Sequence, residues 1–567
     1  MSVFKVHIEN RYSQWTVYKD KSFEEVNDLN IDPAEEHLFS DDVFTNNDNV
    51  IKIIHSTVRN VKNIPAVLIL DKNKTYGRKG KKLLYKCIPD DSRLPYFIVP
   101  YEMKQIGFNK NFENKYVTIK YESWDDKHPF GVISNLIGDV GKLEHYYTYQ
   151  LYCKSLHASI QEFTRDTAKV LRERTEQEYI STILKKYDKI ENQIDEDFVF
   201  TIDPSTSTDY DDAMSIKQIS HDTFVLKIYI SNVTVWMDVL NLWDKFSERI
   251  STIYLPDRKR PMLPTSLSDC LCSLQENSTR FAFMSEYVIE NGDIVSINYK
   301  NVAIRVKKNY SYDSPQLLGN KDYHVIYDVV SKMNDKYKYV KNIDNSHDVV
   351  AYLMILMNFN TSQELIKNKN GIYRSVALKN SDEVSIPDHV SDSANKFLKI
   401  WSSAAGQYVE YSDDIRHELL DLDNYIHITS PIRRLVDLLN IIIFQKNNEM
   451  IDLTPGANEF LQKWINNLSY INVTMRAIRK VQCDCSLLHK CITDPCIMEK
   501  EYDGYLFDKL DRNDGLFQFM VYLPEINMAS RITLRDGYVN YQCCKFKLYL
   551  FNNENKFKKK IRLNILV

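Results

Sequence analysis

Two parts of the chain alternate short apolar runs with turn residues, a pattern that is typical of small β-barrels. Residues 51–150 contain five such runs: AVLIL, KLLYKCI, YFIVPY, KYVTIKYESW and FGVISNLIG. Residues 496–567 contain five more: GYLFDKL, LFQFMVYL, ASRITL, CKFKLYLF and IRLNIL. Because short strands at this spacing can close on themselves, each part predicts a five-stranded barrel.

The rest of the chain does not repeat this strand pattern. Residues 1–50 are polar, and we interpret them as an N-terminal extension, either an irregular lead-in or a small added element. Residues 151–195 are charged with a helical period and predict a helical linker. Residues 196–490 mix strands with long helices, including one near 347–366 and one near 431–444. The predicted fold class is α+β multidomain, with a core of mixed sheet and helices between two OB-like β-barrels.

The charge balance excludes a uniformly basic nucleic-acid coat. The net charge is −4 at pH 7, so attraction to a polyanion has to come from local patches. The first barrel carries one such patch, with Tyr76 and Tyr85 close by: Lys72, Lys74, Arg78, Lys79, Lys81 and Lys82. One interpretation is a solvated hairpin, and the other is a loop that follows phosphates and stacks bases. The last barrel carries a second patch: Lys556, Lys558, Lys559, Lys560 and Arg562.

The apolar runs and the cysteines bear on the compartment. No run approaches the about 20 apolar residues that cross a bilayer, so we expect no membrane association. The N-terminus lacks the apolar core of a secretory signal. Ten cysteines in 567 residues do not make a disulfide scaffold, which predicts reduced thiols and a cytoplasmic location. The richness in Lys, Asn, Ile and Tyr is typical of AT-rich coding, as in a large DNA virus or a parasite.

The most informative stretch is FTIDPSTSTDYDDAMSI, residues 200–216. It places four aspartates within ten residues: Asp203, Asp209, Asp211 and Asp212. Their charges repel one another unless a cation lies among them, and Mg²⁺ takes such oxygen ligands together with substrate phosphates. An acidic surface turn is the alternative, although apolar residues flank both sides. An EF-hand is excluded because Met214 holds its glycine position and Ser220 its twelfth.

A second stretch, YIHITSPIRRLVDLLN, covers residues 425–440. Thr429 or Ser430 is placed to cap a helix, and Pro431 suits its first turn. Arg433 and Arg434 would then lie in that first turn, where cations oppose the helix dipole. An anionic partner such as a scissile phosphate is therefore expected. The alternative is pairing with a local carboxylate such as Asp437.

Together these stretches resemble the signature of the RNB family of ribonuclease II, ribonuclease R and exosome-type exonucleases. The four aspartates match the family's TIDP…D-x-DDA block, and residues 425–434 match its Y-x-H-x-TSPIRR block. YLPDRKRPMLPTSLSDCLCSL, residues 254–274, resembles the stretch that the family carries between them. Residues 88–95 and 124–138 resemble, more loosely, the cold-shock-type OB domain that precedes the catalytic core.

The resemblance implies a 3′-to-5′ exoribonuclease that hydrolyses single-stranded RNA to nucleoside 5′-monophosphates. It implies a metal site of Asp203, Asp209, Asp211 and Asp212 that takes Mg²⁺, or Mn²⁺, with Asp211 also orienting the reacting phosphate or water. Arg433 would stabilise the charge on the phosphate, and Tyr254 would stack on a base near the 3′ end. The other RNA-binding residues would be Arg434, Arg476, Arg479, Lys79, Lys81 and Lys82. We expect a monomeric nuclease, to which accessory subunits could be added.

The implied domains are an extension (1–50), a cold-shock/OB-like barrel (51–150), a helical linker (151–195), an RNB catalytic domain (196–490) and a C-terminal OB-like barrel (496–567). Ile441-Ile442 replace a histidine–arginine pair that is common in the family, and residues 370–375 only faintly resemble their family counterpart. Gln482 replaces a common glutamate and Leu435 a usual aromatic. They keep open the alternative of a catalytically inactive RNB-fold protein that binds RNA. The zinc-ligand residue types between Cys483 and Cys496 fit no standard zinc-knuckle spacing.

Overall fold

The computed structural model describes residues 2–26, 29, 31–47, 50–71, 74–102, 112–377, 386–387, 389–402, 406–412, 414–535, 537–553 and 557–566. The chain divides into two compact units. One comprises Met1–His157, Leu255–Asp257 and Lys480–Val567, and the other comprises Ala158–Tyr254 and Arg258–Arg479.

The first unit begins with a four-stranded antiparallel sheet of order β2-β1-β3-β4. Its strands are β1 (Val3–Glu9), β2 (Gln14–Lys19), β3 (Val43–Asn47) and β4 (Val50–His55). Phe4, Val6 and Ile8 alternate along β1 and bury one face against Phe44. Of the two interpretations of this region, the irregular lead-in is therefore wrong and the small added element fits, because the alternation is enough to form a small core of its own.

The next sheet of the first unit closes into a barrel. Its strands are β5 (Ile64–Leu68), β6 (Arg78–Lys79), β7 (Lys82–Pro89), β8 (Phe97–Tyr101), β9 (Lys115–Ser123) and β10 (Phe130–Asp139). The order is β5-β9-β10-β8-β7-β6, and the additional pairing of β5 with β7 closes five of these strands into a ring, with β6 paired outside it to β7. Helices α1 (Thr57–Asn60) and α2 (Leu143–Cys153) flank it. The barrel core contains Phe97, Val117 and Ile119, all of them fully buried.

The second unit is built around a six-stranded mixed sheet of order β11-β18-β12-β13-β14-β17. Its strands are β11 (Glu191–Asn192), β12 (Val199–Asp203), β13 (Asp212–Gln218), β14 (Thr223–Ser231), β17 (Thr279–Glu290) and β18 (Asp293–Ser311). Since β17 also pairs with β18, five of these strands form a closed ring. Two small two-stranded sheets accompany it: β15 (Ile253–Tyr254) with β16 (Lys259–Arg260), and β19 (Ile372–Ser375) with β20 (Gln407–Glu410).

Helices of the second unit pack around this sheet. They are α3 (Gln161–Val170), α4 (Glu176–Lys186), α5 (Val233–Val239), α6 (Pro315–Leu318), α7 (Lys321–Tyr337), α8 (Ser346–Lys367), α9 (Asp392–Ser402), α10 (Leu435–Asn447) and α11 (Pro455–Ile465). Helix α12 (Leu468–Thr493) runs from the second unit into the first. The helix expected near 347–366 is α8, while the one expected from Pro431 begins only at Leu435.

The first unit ends in a five-stranded antiparallel sheet of order β23-β22-β21-β24-β25. Its strands are β21 (Glu501–Asp511), β22 (Phe517–Leu523), β23 (Met528–Leu534), β24 (Cys543–Asn553) and β25 (Lys558–Leu566), preceded by α13 (Cys496–Glu499). Its core contains Leu506, Phe519 and Phe546. The predicted α+β multidomain fold class is confirmed by this architecture and by the fold comparison given below, whereas the exact domain boundaries stay predictions.

Helix α10 is buried from Leu435 to Gln445, so the polar side chains in this stretch need internal partners. Asn440 provides the clearest example. Its amide nitrogen donates to the carbonyl oxygens of Ile372 and His427, both at 2.9 Å, and its oxygen accepts from the Ile372 N–H at 2.9 Å. This one side chain therefore ties α10 to β19 and to the segment that leads into the helix.

Replacing Asn440 by alanine should lower the free energy of unfolding by about 2–4 kcal/mol, because three buried backbone groups lose their partner. Urea unfolding followed by circular dichroism measures the change. Asn466, which is exposed after α11, offers the matched control, and its alanine variant should stay within about 0.5 kcal/mol of the wild type. Equal stabilities of the two variants would contradict the assigned role of Asn440.

Candidate active site

The four aspartates lie within the β12–β13 loop of the second unit or at its two ends. Asp203 is the last residue of β12 and Asp212 the first residue of β13, and these strands pair antiparallel. Asp211 and Asp212 are buried, with 2% and 7% of their surface exposed. The apolar residues on both sides of the loop are strand residues of the core, so the acidic-surface-turn interpretation does not hold for this pair.

Burial makes the negative charges in this cluster costly. It raises the pKa of Asp203, and the nearby charges of Asp212 and Asp211 raise it further. Burial also raises the pKa of Asp212, against the opposing effect of Arg433. Asp203 Oδ2 and Asp212 Oδ2 are buried and have no hydrogen-bond partner among the described residues. Two carboxylates with unsatisfied oxygens and mutual repulsion fit a divalent cation between them.

A ready-made cage of several ligands is not observed. Within the described ranges, no group of three or more His, Cys, Asp or Glu side chains is arranged to hold a metal ion. The four-residue metal site therefore stays a prediction. The same observation covers the stretch from Cys483 to Cys496, where the residues that the structure describes form no zinc site.

Asp211 is held by the segment before α10, which lies more than 200 residues away along the chain. The Ile432 N–H donates to Asp211 Oδ1 at 2.8 Å, and Arg433 Nε donates to Oδ2 at 3.0 Å. Burial, opposed mainly by Arg433, raises the pKa of Asp211 to about 7. Arg433 also donates to Ser430 Oγ at 2.9 Å, and 45% of its side chain remains exposed. The two stretches singled out in the sequence thus meet through this ion pair.

The arginines do not lie in the first helical turn, and that prediction is wrong. Arg434 is extended (φ −136°, ψ 124°), and its backbone pairs with Ser251. The Leu435 N–H donates to the carbonyl oxygen of Ile250. Pairing with 250–251 therefore holds Arg434 extended after the turn at 431–433, and α10 begins directly after the two arginines.

The carboxylate at the start of α10 is Asp437, and it serves Arg434. Arg434 donates to Asp437 Oδ1 at 2.9 Å, and the Ser430 N–H donates to the same oxygen at 2.8 Å. Pairing with Asp437, the alternative considered for both arginines, is thus observed for Arg434 but not for Arg433. The RNA-binding role of Arg434 stays a prediction. Leu435 is buried in the hydrophobic core, so its departure from the family pattern is accommodated by packing.

Asp209 differs from the other three aspartates in its hydrogen-bond partners. The Tyr254 hydroxyl donates to Asp209 Oδ2 at 3.2 Å, and Lys259 Nζ donates to Oδ1 at 2.9 Å. Tyr254 is 42% exposed, which suits a ring that stacks on a base. Sequence reasoning singled out Tyr254 and overlooked Lys259, although both stand in the 254–274 stretch.

Arg374 lies close to the charges of Arg434 and Arg479, and sequence reasoning did not name it. Arg476 and Arg479 stand on α12, three residues apart. Arg374, on β19, lies over the Tyr408 ring at 5.0 Å. Burial lowers the pKa of Arg374, and the charges of Arg479 and Arg434 lower it further. The faint likeness of 370–375 to a family segment was the only sequence signal for Arg374.

The lysines of the first barrel lie on the β6–β7 hairpin. Lys79 pairs with Glu122 at 3.0 Å and lies 4.1 Å from the centre of the Phe130 ring. Lys81 and Lys82 are exposed. Lys72 in the first patch and Lys556 in the last barrel lie outside the described residues. The solvated-hairpin and phosphate-loop interpretations both stay open, and RNA binding by Lys79, Lys81 and Lys82 stays a prediction.

Two family models match the chain. Residues 191–324 match the RNB domain, and residues 84–148 match the Dis3-like cold-shock domain 2. Ribonuclease R from Chlamydia pneumoniae is 26% identical over 306 residues, which cover 42% of this chain and 45% of that protein. The chain spans less than half the length of the first curated relatives that it matches.

Solved structures share the fold over nearly the whole chain. Mycoplasma genitalium RNase R, in complex with ribose-methylated single-stranded RNA, superposes with a TM-score of 0.69 at 16% identity, covering 99% of this chain and 100% of that chain. Yeast Ssd1, described as a pseudonuclease, gives a TM-score of 0.58 at 13% identity, covering 93% of this chain and 78% of that one. At such identities the likeness concerns the fold alone.

No helix in the described part of the chain is both long and apolar enough to cross a bilayer. The resemblance noted from the aspartate and TSPIRR stretches is confirmed: residues 191–324 match the RNB domain, and the chain is similar to ribonuclease R and other RNB-family exoribonucleases.

Proposed function

We propose that this protein is a 3′-to-5′ exoribonuclease that hydrolyses single-stranded RNA to nucleoside 5′-monophosphates with Mg²⁺. The observation that carries the proposal is the Asp211–Arg433 ion pair beside the unsatisfied oxygens of Asp203 and Asp212. It unites in one place the carboxylates for a cation and a guanidinium for a phosphate. The similarity of the chain to ribonuclease R supports RNA hydrolysis as the class of reaction.

Asp203 and Asp212 would hold the metal ion, which when bound supplies Lewis acidity to the phosphate and its attacking water. Asp211 accepts from Ile432 and Arg433, and so orients the guanidinium. Arg433 uses one donor on Asp211 and one on Ser430. Because a guanidinium has five N–H groups, it retains others that can donate to a phosphate oxygen as negative charge develops there.

The exposed Tyr254 ring would hold the 3′-terminal base by stacking, worth about 1–3 kcal/mol. Its hydroxyl is engaged by Asp209, so the ring is oriented as well as placed. Arg374, with Arg479 of α12 near it, would attract the phosphates of the following nucleotides, and so would Arg476 on the same helix. None of the ten cysteines forms a disulfide, which supports the further proposal of a reducing, cytoplasmic compartment.

The second candidate is an RNB-fold protein that binds RNA without cleaving it. It is favoured by the shared fold with the pseudonuclease Ssd1 and by Gln482 in place of a usual glutamate. The presence of all four aspartates argues for the first candidate, because a protein that only binds RNA gains nothing from burying carboxylates against repulsion.

A 5′-labelled RNA oligomer should be shortened from its 3′ end in Mg²⁺ and left intact in EDTA. A 3′-phosphate should block digestion, whereas a 5′-phosphate should not. Denaturing gels show both polarity and metal dependence. Undiminished cleavage in EDTA would rule out the metal-dependent mechanism, and RNA that stays intact in Mg²⁺ and in Mn²⁺ would favour the binding protein.

Asp211→Asn should lower kcat by more than tenfold while RNA affinity stays equal or rises. The variant keeps the shape of the side chain but removes the charge that orients Arg433, and a tenfold loss corresponds to about 1.4 kcal/mol of transition-state stabilisation. Single-turnover kinetics and filter binding separate the two effects. Asp222→Asn, at an exposed turn of the same sheet, is the control and should behave as wild type; a D211N enzyme with kcat near the control would refute the role.

Arg374→Met should weaken binding of short single-stranded RNA and reduce its salt dependence. Each lost phosphate contact lowers the slope of log K against log salt by about 0.7 for single strands. Arg416→Met is the matched control, because Arg416 is exposed and paired with Asp421. Fluorescence anisotropy at several salt concentrations gives the slopes, and identical slopes for the two variants would remove Arg374 from the RNA path.

A further inference from the structure

The carboxylate cluster contains a cation that belongs to the chain itself. Lys259 Nζ donates to Asp209 Oδ1 at 2.9 Å, to Asp269 Oδ1 at 3.0 Å and to Thr208 Oγ1 at 2.6 Å. Only 25% of the Lys259 side chain is exposed. An ammonium held by three oxygens on three residues is an ordered part of the site.

Asp209 has a donor on each of its oxygens. The β15–β16 hairpin pairs Tyr254 directly with Lys259, and directly opposed residues project from the same face of a hairpin. Both side chains therefore reach the same carboxylate, Tyr254 at Oδ2 and Lys259 at Oδ1. Asp211 is likewise satisfied at both oxygens, by Ile432 and Arg433.

Asp203 and Asp212 differ from this pair. Each has one buried carboxylate oxygen without a hydrogen-bond partner among the described residues. Arg433 balances Asp211, and Lys259 is shared between Asp209 and Asp269. Asp203 and Asp212 are therefore the two aspartates of the cluster that form no ion pair with a lysine or arginine of the described residues, which leaves their carboxylates open to a divalent cation.

We infer that Lys259 is a positioning residue that keeps Asp209 out of the metal-ligand set, so that the cluster binds one divalent cation through Asp203 and Asp212. A metal ion would have to displace the ammonium before it could use Asp209. Asp209 instead orients Tyr254, and Lys259 fixes Asp209 for that task. The inference rests on the metal dependence proposed above and adds the ligand set and the stoichiometry.

Binding of Mn²⁺ to the full chain without RNA, measured by electron paramagnetic resonance, tests the inference. The wild type should bind one ion. Asp203→Asn and Asp212→Asn should each weaken binding at least about tenfold, because a hard cation loses a charged ligand. Asp209→Asn should stay within about threefold of wild type, because only a charge at longer range is lost.

The lysine variants provide the second readout. Lys259→Met should bind Mn²⁺ at least about threefold more tightly, because a neighbouring positive charge is removed. Lys259→Arg, which keeps the charge, should bind like the wild type. Lys245→Met removes an exposed lysine elsewhere in the same unit and should also leave the affinity unchanged.

Two results would overturn the inference while leaving metal binding intact: D209N weakening Mn²⁺ binding as much as D203N does, or K259M binding with wild-type affinity. A second Mn²⁺ bound by the wild type would do the same. A wild-type protein that binds no Mn²⁺ would overturn both the inference and the metal-dependent mechanism. Thermal unfolding confirms that each variant is folded, and the D209N arm stands independently of the lysine variants.

Discussion

Charge balance among the aspartates of the β12–β13 loop is the constraint on which the candidate site depends. Asp203, Asp211 and Asp212 lie mostly out of water, and burial raises the pKa of each. Each carboxylate needs a cation or a donor close by, because an isolated buried charge is strongly unfavourable. Arg433 meets this need for Asp211, and it comes from a segment that follows β14, β17, β18 and the five helices α5 to α9 along the chain.

That dependence explains why the segment before α10 has its particular shape. Ser251 and Ile250 hold Arg434 and Leu435 in place by backbone bonds. Asp437 accepts hydrogen bonds from Ser430 and Arg434, and Asn440 is hydrogen-bonded to Ile372 of β19. The Ile432 N–H and the Arg433 side chain are thereby presented together to one carboxylate. The Asp211–Arg433 ion pair therefore depends on a series of hydrogen bonds that position the segment before α10.

Much of the fold could be predicted from the sequence, because period-two alternation marks strands locally. The two barrels and helix α8 follow from such patterns. Two pairings close the sheets: β5 with β7, and β17 with β18. They could not be predicted from the sequence, because the residues of a strand do not specify which strand it pairs with. The first sheet was missed because polar, acidic loops separate its strands and mask the alternation along β1.

The candidate site divides in the same way. The aspartates and arginines were found because they cluster within short stretches. The start of α10 was predicted too early because Ser-Pro is a good helix start, and only the tertiary bridge to 250–251 overrides it. Lys259 and Arg374 were missed because each is a single cation whose meaning comes from residues elsewhere: Asp209 for the first, and Arg434 and Arg479 for the second.

The position of the Arg374 side chain also restricts which residue can stand at position 406. Gly406 lies so close to it that a β-carbon there would come within 2.8 Å of a guanidinium nitrogen of Arg374 and of a methyl group of Val376. Any side chain at 406 would have to move the arginine. The lack of a side chain at position 406 is therefore a packing condition for the observed position of the Arg374 guanidinium, and for that of the Val376 methyl group.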